Sequence, residues 1–385
     1  MNPSSSKPRV LHVLKSLPLG GIETWLMHVL RRDQNSFVQH ELVLMVEEPG
    51  VYEPEVRELG IPIHKLPHGG SWPRWFADFR RFLKKNGPFD VVHSHVAYGV
   101  SAPIIAIAAL AGVPSRIAHQ HEARSLGADY RIPRDRFVRR AAMMIYGAAA
   151  TRRIGITEAA MEEIAGKAWR TRSDCSILLY GFEYSSFKLP ADRARILRQE
   201  LGLEPDDRVI GHVGRFDPVK NHGFLLRAFA KVARADSRAR LVMVGRGAME
   251  PEIRKLAQDL GIAQFVRFAG ATKDIAAYMA LFDLFVLPSF SEGLGIVCVE
   301  AQAAGTRVLA SDTVPPEAAV RPEFVKFLPL GQGEGAWAEE MVRLLALPRP
   351  DPAEWLQAVE QSVFGLDRCI RDLHAIYREQ LGRRA

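Results

Sequence analysis

One stretch limits the possible fold more than any other, residues 282–305 with the sequence FDLFVLPSFSEGLGIVCVEAQAAG. The short apolar run Leu284–Leu287 is closed by a proline, and this pattern predicts a strand covered on both faces of a parallel sheet. Residues 289–295 form a turn with two glycines, and residues 296–304 have the pattern of a helix. The stretch therefore predicts one strand–turn–helix unit of a doubly wound α/β domain.

The turn in this unit has the chemistry of a phosphate-binding site. The amides of Gly293, Leu294 and Gly295 precede the helix, where they lack intrahelical acceptors and face the positive end of the helix dipole. Glu292 lies on the loop side of these amides. Glu300 lies about one turn into the helix, where its two oxygens could accept both hydroxyls of a ribose. The order of groups predicts a nucleotide site.

A second loop carries two cations at a strand end. Arg215 and Lys220 follow the apolar run 209–213 and precede a helix. Arginine offers a planar fork of donors and lysine a mobile point charge, so the pair is suited to stabilise a departing diphosphate. A dinucleotide fingerprint starting at Gly245 would need a further glycine where the chain has Glu250, which argues against an oxidoreductase.

The N-terminal half repeats the strand-to-turn pattern. Gly20 and Gly21 follow the apolar strand 9–13 and precede a helix, so we expect them to border a cleft at the carboxyl ends of the strands. The segments 93–95 and 119–121 each place two histidines at the end of a strand. We expect both histidine pairs to open into that cleft, where a neutral imidazole could form a hydrogen bond with a ligand.

The composition suggests two globular domains in a reducing compartment. A chain of 385 residues with 48% apolar and 25% charged residues is too long for one α/β core and suits two. The three cysteines are far apart and lack metal-ligand spacing, so no zinc site or disulfide framework is predicted. The first residues lack the apolar core of a signal peptide, and the longest apolar run, 102–113, is too short to span a bilayer. We expect a cytoplasmic location.

The positive charge is unevenly distributed. All of the formal net charge of +7 comes from residues 1–190, and its densest stretch is 130–140, followed by Arg152 and Arg153. This stretch could face anionic lipid at the inner surface of the membrane, an anionic acceptor, or simply water as a solvated helix face. Nucleic acid is not expected as a partner, since no nucleic-acid-binding motif accompanies the charge.

These motifs together resemble the retaining, nucleotide-sugar-dependent glycosyltransferases of the GT-B fold, the group 1 or family 4 type. The segment from Glu292 to Glu300 matches the family's pair of glutamates with seven residues between them. Arg215 and Lys220 match its glycine-arginine and lysine-asparagine elements. Gly20 and Gly21 match its glycine-glycine loop near the donor phosphates and the acceptor.

The match between the histidines of this chain and the family pattern is less specific, because two residues fit one family position. In the family one histidine contacts the donor sugar near the reacting carbon, and His121 is the better match, with His119 close behind it. The chain departs from the family at Tyr180, where an asparagine is usual before the hinge. Because of this departure, the resemblance does not predict the geometry of the hinge, but it still predicts the fold.

The resemblance implies an α/β protein with two Rossmann-like, doubly wound parallel-sheet domains that face a central cleft. We expect an acceptor-side domain at 1–185 and a nucleotide-sugar-binding domain at 186–362. A last helix, 363–385, is expected to cross back to the first domain, with Phe364 and Tyr377 at suitable positions.

The resemblance also implies an activity. A hexosyltransferase would move a sugar from a nucleoside diphosphate sugar to a glycan or lipid-linked acceptor, with Arg215, Lys220, Glu292 and His121 in the reaction. No cofactor or metal is expected, because the two cations replace a metal and no Asp-x-Asp pair is present. Two alternatives remain: a nucleotide-sugar epimerase or phosphorylase of the same fold, or a noncatalytic sugar-nucleotide-binding subunit.

Overall fold

The computed structural model of the chain describes residues 7–121, 133–190, 192–349 and 351–382, with only the backbone of 133–136. The chain divides into two compact units. Unit 1 comprises Met1–Phe182 with Leu366–Ala385, and unit 2 comprises Glu183–Gly365. Among the described residues, no helix is both long and apolar enough to cross a bilayer.

Unit 1 is a parallel sheet between two layers of helices. Its described strands are β1 (Arg9–Leu14), β2 (Gln39–Leu44), β3 (Ile63–Lys65), β4 (Val91–Ser94), β5 (Ser115–Gln120), β6 (Arg152–Gly155) and β7 (Cys175–Ile177). Its described helices are α1 (Gly21–Arg32), α2 (Glu53–Glu58), α3 (Trp72–Asn86), α4 (Tyr98–Leu110), α5 (Pro133–Ala149), α6 (Glu158–Ala165) and α14 (Leu366–Gly382). The strand order is β3-β2-β1-β4-β5-β6-β7, and every pairing is parallel.

Unit 2 repeats this architecture. Its described strands are β8 (Arg208–Val213), β9 (Ala239–Val244), β10 (Val266–Gly270), β11 (Leu284–Leu287), β12 (Arg307–Ser311) and β13 (Val325–Leu328). Its described helices are α7 (Arg193–Glu200), α8 (His222–Ala235), α9 (Glu250–Asp259), α10 (Ile275–Leu281), α11 (Ile296–Ala303), α12 (Gly333–Leu345) and α13 (Pro352–Gln361). The strand order is β10-β9-β8-β11-β12-β13, again with parallel pairs.

Both sheets therefore contain the Rossmann order 3-2-1-4-5-6, to which unit 1 adds a seventh strand next to β6, and the predicted α/β class with two doubly wound parallel sheets is confirmed. Most strand residues are buried on both faces because helices cover both, as in β11, whose four residues are all buried. One close approach depends on a glycine: a Cβ at Gly211 of β8 would lie 2.0 Å from the ring of Phe282. The ring can pack against the sheet only because Gly211 has no side chain.

In each sheet the strand order changes direction at the first strand, because the later strands are added on the opposite side of it. In unit 1 this point lies between β1 and β4, and in unit 2 it lies between β8 and β11. At such a point the loops leaving the two neighbouring strands diverge to opposite faces, which opens a crevice at the carboxyl ends. In unit 2 the diverging loops are 214–221 and 288–295, the two loops that the sequence singles out.

Candidate functional site

An ion pair joins the two loops of unit 2. Nζ of Lys220 donates to Oε1 of Glu292 at 2.6 Å, and Oγ of Ser289 donates to the same oxygen at 2.5 Å. The two charged side chains are mostly buried, with 16% and 11% of their surfaces exposed. Lys220 is held in place because the Asp217 carboxylate accepts from its amide at the end of a short 3-10 turn. The structure thus brings together two predicted site residues that are 72 positions apart.

This pair leaves part of its hydrogen-bonding capacity unused. A lysine ammonium has three donors, and only the one to Glu292 is taken within the described part of the chain. The second carboxylate oxygen of Glu292, Oε2, accepts no hydrogen bond from any described residue. Two cationic donors and one anionic acceptor are therefore available for a ligand that carries both phosphate and hydroxyl groups.

The turn before α11 presents free backbone donors. Gly295 has a positive φ of 72°, and a Cβ there would lie 2.7 Å from the Val314 side chain, so only glycine fits. Leu294 is 2% exposed and anchors the turn in the core. No acceptor among the described residues takes the amide of Gly293, Leu294 or Gly295. Three unpaired amides at a helix start are the donor set that a phosphate needs.

Glu300 has an unusual carboxyl group. It lies on α11, half-buried, and its carboxylate receives no hydrogen bond from the part of the chain that the structure describes. Burial without a compensating donor raises its pKa to about 7. Its charge also acts on Tyr184, whose pKa is raised well above the usual value, first by burial and then by Glu300. A perturbed carboxyl group of this kind is typical of a binding or catalytic site.

The two predicted glutamates share one neighbourhood. Cys298, on α11 between them, is fully buried, and burial raises the pKa of its thiol well above the usual value. The carboxylate of Glu292 adds to this shift, Lys220 opposes it, and Glu300 adds to it again. All three charged groups are therefore close enough to act on the same sulfur.

Arg215 is arranged differently from Lys220. Its side chain is 81% exposed and forms an ion pair with Asp217 at 3.5 Å. An exposed pair of this kind is weak, so the guanidinium can leave Asp217 for a ligand at little cost. The role of Arg215 in stabilising a diphosphate stays a prediction.

The glycine pair of unit 1 lies at the start of a helix, as expected. Gly20 is the extended residue before α1, and Gly21 is its first residue. A Cβ at Gly20 would lie 2.4 Å from Oε2 of Glu23, whereas a Cβ at Gly21 would meet nothing within 4 Å. The first glycine therefore allows the Glu23 side chain to lie over the turn, and the second borders open space.

The expectation that the histidine pairs open into a cleft is wrong for all four residues. His93, His95, His119 and His121 are buried, with at most 7% of any of them exposed. The reason is Trp25 of α1, whose ring covers His95, His119 and His121 at centroid distances of 5.4–6.1 Å. Sequence alternation shows which face a side chain takes but not which helix covers that face.

His121 also has no free ring nitrogen. Its Nδ1 is hydrogen-bonded to the hydroxyl of Tyr180, and its Nε2 to Nδ1 of His95 at 3.0 Å. The tyrosine that replaces the family's usual asparagine is thus a partner of the histidine predicted to contact the sugar. Whether His121 or His119 serves the reaction stays a prediction.

The basic stretch 130–140 lies partly outside the described residues, which include neither Arg131 nor the side chains of Arg134 and Arg136. Arg139 donates to the carbonyl oxygens of two residues of α6. The arginines that follow are also engaged: Arg152 bonds to a carbonyl oxygen, and Arg153 is buried in an ion pair with Asp174. These described arginines stabilise unit 1 rather than forming an open cationic surface.

Three residues at these sites carry no signal of their own in the sequence. Ser289 is one of many serines, and only the loop conformation brings it to Glu292. Tyr184 falls next to the predicted boundary between the two domains, yet it is buried and its pKa is affected by the charge of Glu300. Asp33 lies in a charged helix end, yet its side chain is 3% exposed and bonds to two histidines. Only the strand register and the tertiary contacts reveal these partners.

Comparison with known proteins agrees with this geometry. Residues 194–360 match the family described as Glycosyl transferases group 1, and residues 20–173 match the Glycosyl transferase 4-like domain. EpsF of Bacillus subtilis (strain 168), which is named as a glycosyltransferase, is 34% identical over 351 residues, 90% of each chain. The D-inositol 3-phosphate glycosyltransferase of Mycobacterium bovis is 35% identical over 203 residues, 50% of this chain and 41% of that protein.

Solved structures show the same fold. HepE of Anabaena, crystallised with UDP and glucose, aligns with a TM-score of 0.78 and 19% identity over 97% of this chain and 100% of its own. WaaG, a glycosyltransferase involved in lipopolysaccharide biosynthesis, aligns with a TM-score of 0.74 and 19% identity over 94% and 99% of the two chains. The similarity to EpsF over 90% of each chain, the two Rossmann-like units and both family matches show that the chain belongs to the group 1 glycosyltransferases and is an enzyme of that class.

Proposed function

We propose that the protein is a retaining hexosyltransferase that uses a nucleoside diphosphate sugar and a glycan or lipid-linked acceptor of a cell-surface polysaccharide or lipopolysaccharide. The observation that carries this proposal is the carboxyl group of Glu300, which is half-buried, unpaired in the described chain and perturbed to a pKa of about 7. A ribose diol donates two hydrogen bonds, which is what such a carboxylate lacks.

The donor phosphates fit the groups next to Glu300. The unpaired amides of Gly293, Leu294 and Gly295 form the anion cradle, and Lys220 has two unused donors beside it. HepE was crystallised with UDP and glucose, which makes UDP the first nucleotide to test and glucose the first sugar. Free Oε2 of Glu292 is then the acceptor for a hydroxyl of the donor sugar.

The same residues account for the chemistry of transfer. When the bond between the sugar and the diphosphate breaks, negative charge grows on the leaving oxygens, and Lys220 and Arg215 stabilise it in place of a metal ion. The acceptor hydroxyl attacks the same face of the sugar that the diphosphate leaves. Its proton passes to a departing phosphate oxygen, so the new glycosidic bond keeps the original configuration and no protein nucleophile is required.

A nucleotide-binding titration tests the central observation. We expect thermal stability to rise with one of UDP, GDP, ADP and CMP, by about 2.7 kcal/mol near 100 times its dissociation constant.

We also expect the affinity for the nucleotide to depend on pH. The ribose binds the ionised form of Glu300, and its pKa is about 7, so affinity should be about tenfold weaker at pH 6 than at pH 8 when measured by calorimetry.

The matched variant is Glu300→Gln, which keeps the shape of the side chain but cannot ionise. Its affinity should be lower than that of the wild type at pH 8, and only the titration of the nucleotide itself should remain. A wild type and a variant with the same affinity and the same pH profile would exclude Glu300 from the ribose site. No stabilisation by any nucleotide would count against the donor site as a whole.

Product analysis separates the remaining activities. A transferase needs an acceptor and yields a glycoside of retained configuration, which NMR of the product shows directly. An epimerase would convert the sugar nucleotide without an acceptor, and a phosphorylase would require inorganic phosphate. Activity that survives a chelator would support the metal-independent mechanism.

A contact with anionic membrane is the second part of the proposal. Phe137 and Met144 of α5 are 75% and 70% exposed, and Arg140 on the same helix is exposed as well. Apolar side chains beside a cation favour insertion at the surface of an anionic bilayer.

We expect the double variant Phe137→Ser, Met144→Ser to sediment several-fold less with vesicles that contain phosphatidylglycerol, with unchanged thermal stability. Leu347→Ser, on an exposed apolar residue of unit 2, is the matched control, and equal loss in both would contradict the assignment to α5.

A further inference from the structure

Unit 1 contains a row of six buried histidines on one face of its sheet. They belong to four neighbouring strands and to the residues that directly follow them: His40 on β2, His12 on β1, His93 and His95 at β4, and His119 and His121 at β5. None is more than 7% exposed. Neither the sequence motifs nor the proposed donor site accounts for six histidines at this place.

Four of these histidines form one continuous chain of hydrogen bonds. Nδ1 of His40 bonds to Nε2 of His12 at 2.9 Å, and Nδ1 of His12 to Nε2 of His95 at 2.9 Å. The next link joins Nδ1 of His95 to Nε2 of His121 at 3.0 Å. The row therefore crosses the sheet strand by strand, with the same pair of nitrogens meeting at every step.

The strand register explains this geometry. His12 lies directly opposite His93 in the register of β1 and β4, and these two rings are tilted by 32° at a centroid distance of 5.4 Å. Rings that are diagonal to each other, such as His12 and His95, meet edge to edge instead and can share a hydrogen. The hydrogen-bonded chain therefore follows the diagonals of the sheet.

At both ends, this row of hydrogen-bonded histidines contacts other polar groups. At one end, Nε2 of His40 bonds to Oδ2 of Asp33 at 2.7 Å, and the other oxygen of Asp33 bonds to Nε2 of His374 at 2.7 Å. At the opposite end, Nδ1 of His121 bonds to the Tyr180 hydroxyl. This assembly of Asp33, the four histidines and Tyr180 is called the histidine relay below.

The hydrogens in the relay can be assigned from one end. Burial would raise the pKa of Asp33, but hydrogen bonds from His374 and His40 outweigh it and lower the pKa to about 2, so Asp33 is ionised and can only accept. His40 must then carry its hydrogen on Nε2. Burial lowers the pKa of His12, His95 and His121 well below the usual value, so each is neutral with one donor and one acceptor nitrogen.

One arrangement follows for the remaining links. When His40 carries a single hydrogen, its Nδ1 accepts, so His12 donates from Nε2, and the same choice repeats at His95 and His121. Nδ1 of His121 must therefore accept from the Tyr180 hydroxyl. Every histidine of the relay then has its hydrogen on Nε2, and the Tyr180 hydroxyl donates to His121.

We propose that Asp33 is a positioning residue that acts through the histidine relay on His121 and Tyr180. Its carboxylate sets the direction of the relay, fixes His121 as a neutral ring with its hydrogen on Nε2, and directs the Tyr180 hydroxyl to Nδ1 of His121. The benefit for catalysis rests on the proposed function together with the predicted role of His121 in the transfer reaction. The direction of the relay itself does not depend on that function.

A shorter branch supplies an internal control. The Tyr377 hydroxyl bonds to Nδ1 of His93 at 2.9 Å, and Nε2 of His93 bonds to Nδ1 of His119 at 3.2 Å. Nε2 of His119 has no hydrogen-bond partner among the described residues. No hydrogen bond among the described residues joins this branch to a carboxylate, so Asp33 does not set its direction, although the charge of Asp33 acts on Tyr377.

The histidines could instead hold a metal ion, since His12, His93 and His95, or His95, His119 and His121, have nitrogens within 4.8 Å of one another. A metal requires lone pairs that converge on a common point, whereas each contact in the relay has one nitrogen donating directly to the next. All ring nitrogens of His12, His95 and His121 are used in this way. The geometry favours the relay over a metal centre.

Nitrogen-15 NMR of histidine-labelled protein tests the proposal without an activity assay. In the wild type we expect the protonated-Nε2 pattern for His40, His12, His95 and His121, each assigned by its loss in a single glutamine variant. In Asp33→Asn, where an amide can donate to His40, we expect reversal or a mixture of the two patterns at all four rings. In Tyr180→Phe the pattern should be that of the wild type, because the anchoring carboxylate is still present.

Kinetics supply the second measurement. Asp33→Asn should lower kcat with little change in KM for the donor, and the double variant with Tyr180→Phe should be no slower than the slower single variant, because both act through one relay. In the control cycle of Asp33→Asn with Arg215→Ala, whose exposed side chain shares no hydrogen bond with the relay among the described residues, the two effects should multiply. An unchanged protonated-Nε2 pattern in Asp33→Asn, or bound metal in stoichiometric amount after purification and zinc titration, would overturn the proposal. Absence of transferase activity would count against the proposed function alone, since the NMR result would still decide the relay.

Discussion

Replacing Lys220 with alanine should lower kcat by a factor of about 100 to 1,000. The ammonium is the mostly buried cation of the candidate site, and its two unused donors lie beside the amides that we assign to the diphosphate. Charge that develops on the leaving group would lose a preorganised partner in a site with little water. Steady-state kinetics with the donor identified by the nucleotide titration measure this loss.

The structure also predicts a cost in stability for this variant. Lys220→Ala leaves the Glu292 carboxylate, 11% exposed, with only Ser289 as a donor, and removing one partner of a largely buried pair costs several kcal/mol. Lower activity alone would therefore be ambiguous. Arg215→Ala resolves the ambiguity, because that side chain is 81% exposed and its removal should reduce turnover without a change in thermal stability.

A matched control for the ion pair is available on the surface. Lys255 and Asp259 of α9 have almost the same separation, 2.7 Å, but their side chains are 74% and 56% exposed. Lys255→Ala should leave both turnover and stability at wild-type values, since an exposed pair contributes little. Wild-type turnover in both Lys220→Ala and Arg215→Ala would rule out the proposed stabilisation of the leaving group.

The sequence was sufficient for the fold and for the unit 2 loops because both depend on local patterns. An apolar run closed by a proline predicted β11 at its observed bounds, Leu284–Leu287. The alternation of strands and helices gave two doubly wound sheets, and the strand order then placed loops 214–221 and 288–295 at one crevice. Neighbouring strands of such a fold follow a small set of topologies, so position in the chain gives position in the sheet.

The contacts of the buried polar groups could not be predicted in this way. The link between His12 and His95 joins residues 83 positions apart and depends on a diagonal offset between two strands. A shift of one residue in strand register would have placed the rings on opposite faces. The raised pKa of Glu300 has a similar origin, since the position of the residue on a helix was predictable but its lack of hydrogen-bond partners was not.

The histidines of unit 1 should also make the folded protein sensitive to mild acid. Burial lowers the pKa of His12, His93, His95, His119 and His121 well below 6.5, so these five rings stay neutral in the folded protein. The unfolded chain binds protons at the same residues once the pH falls below 6.5. Their contribution to stability is therefore complete above pH 6.5 and is lost as the pH falls below it.

The expected size of this effect is comparable to the stability of a whole domain. At pH 5.5, one unit below the ordinary histidine pKa, each buried neutral histidine costs about 1.4 kcal/mol, and the five together cost roughly 7 kcal/mol. Typical domains are stable by about 5–15 kcal/mol. Asp33 does not contribute in this range, because its pKa is lowered to about 2 and its titration lies below pH 4.

Urea unfolding at pH 7.5, 6.5 and 5.5 measures the effect, with the tryptophans of the two units as separate probes. Unit 2 has two histidines with lowered pKa, His212 and His222, so its stability should fall less than that of unit 1. Because the five rings are buried, raising the salt concentration should not restore stability at pH 5.5, whereas repulsion between surface charges would be screened. A free energy of unfolding that is level from pH 7.5 to 5.5 would mean that the histidines of unit 1 titrate in the folded protein, and the hydrogen positions assigned to the relay would then be wrong.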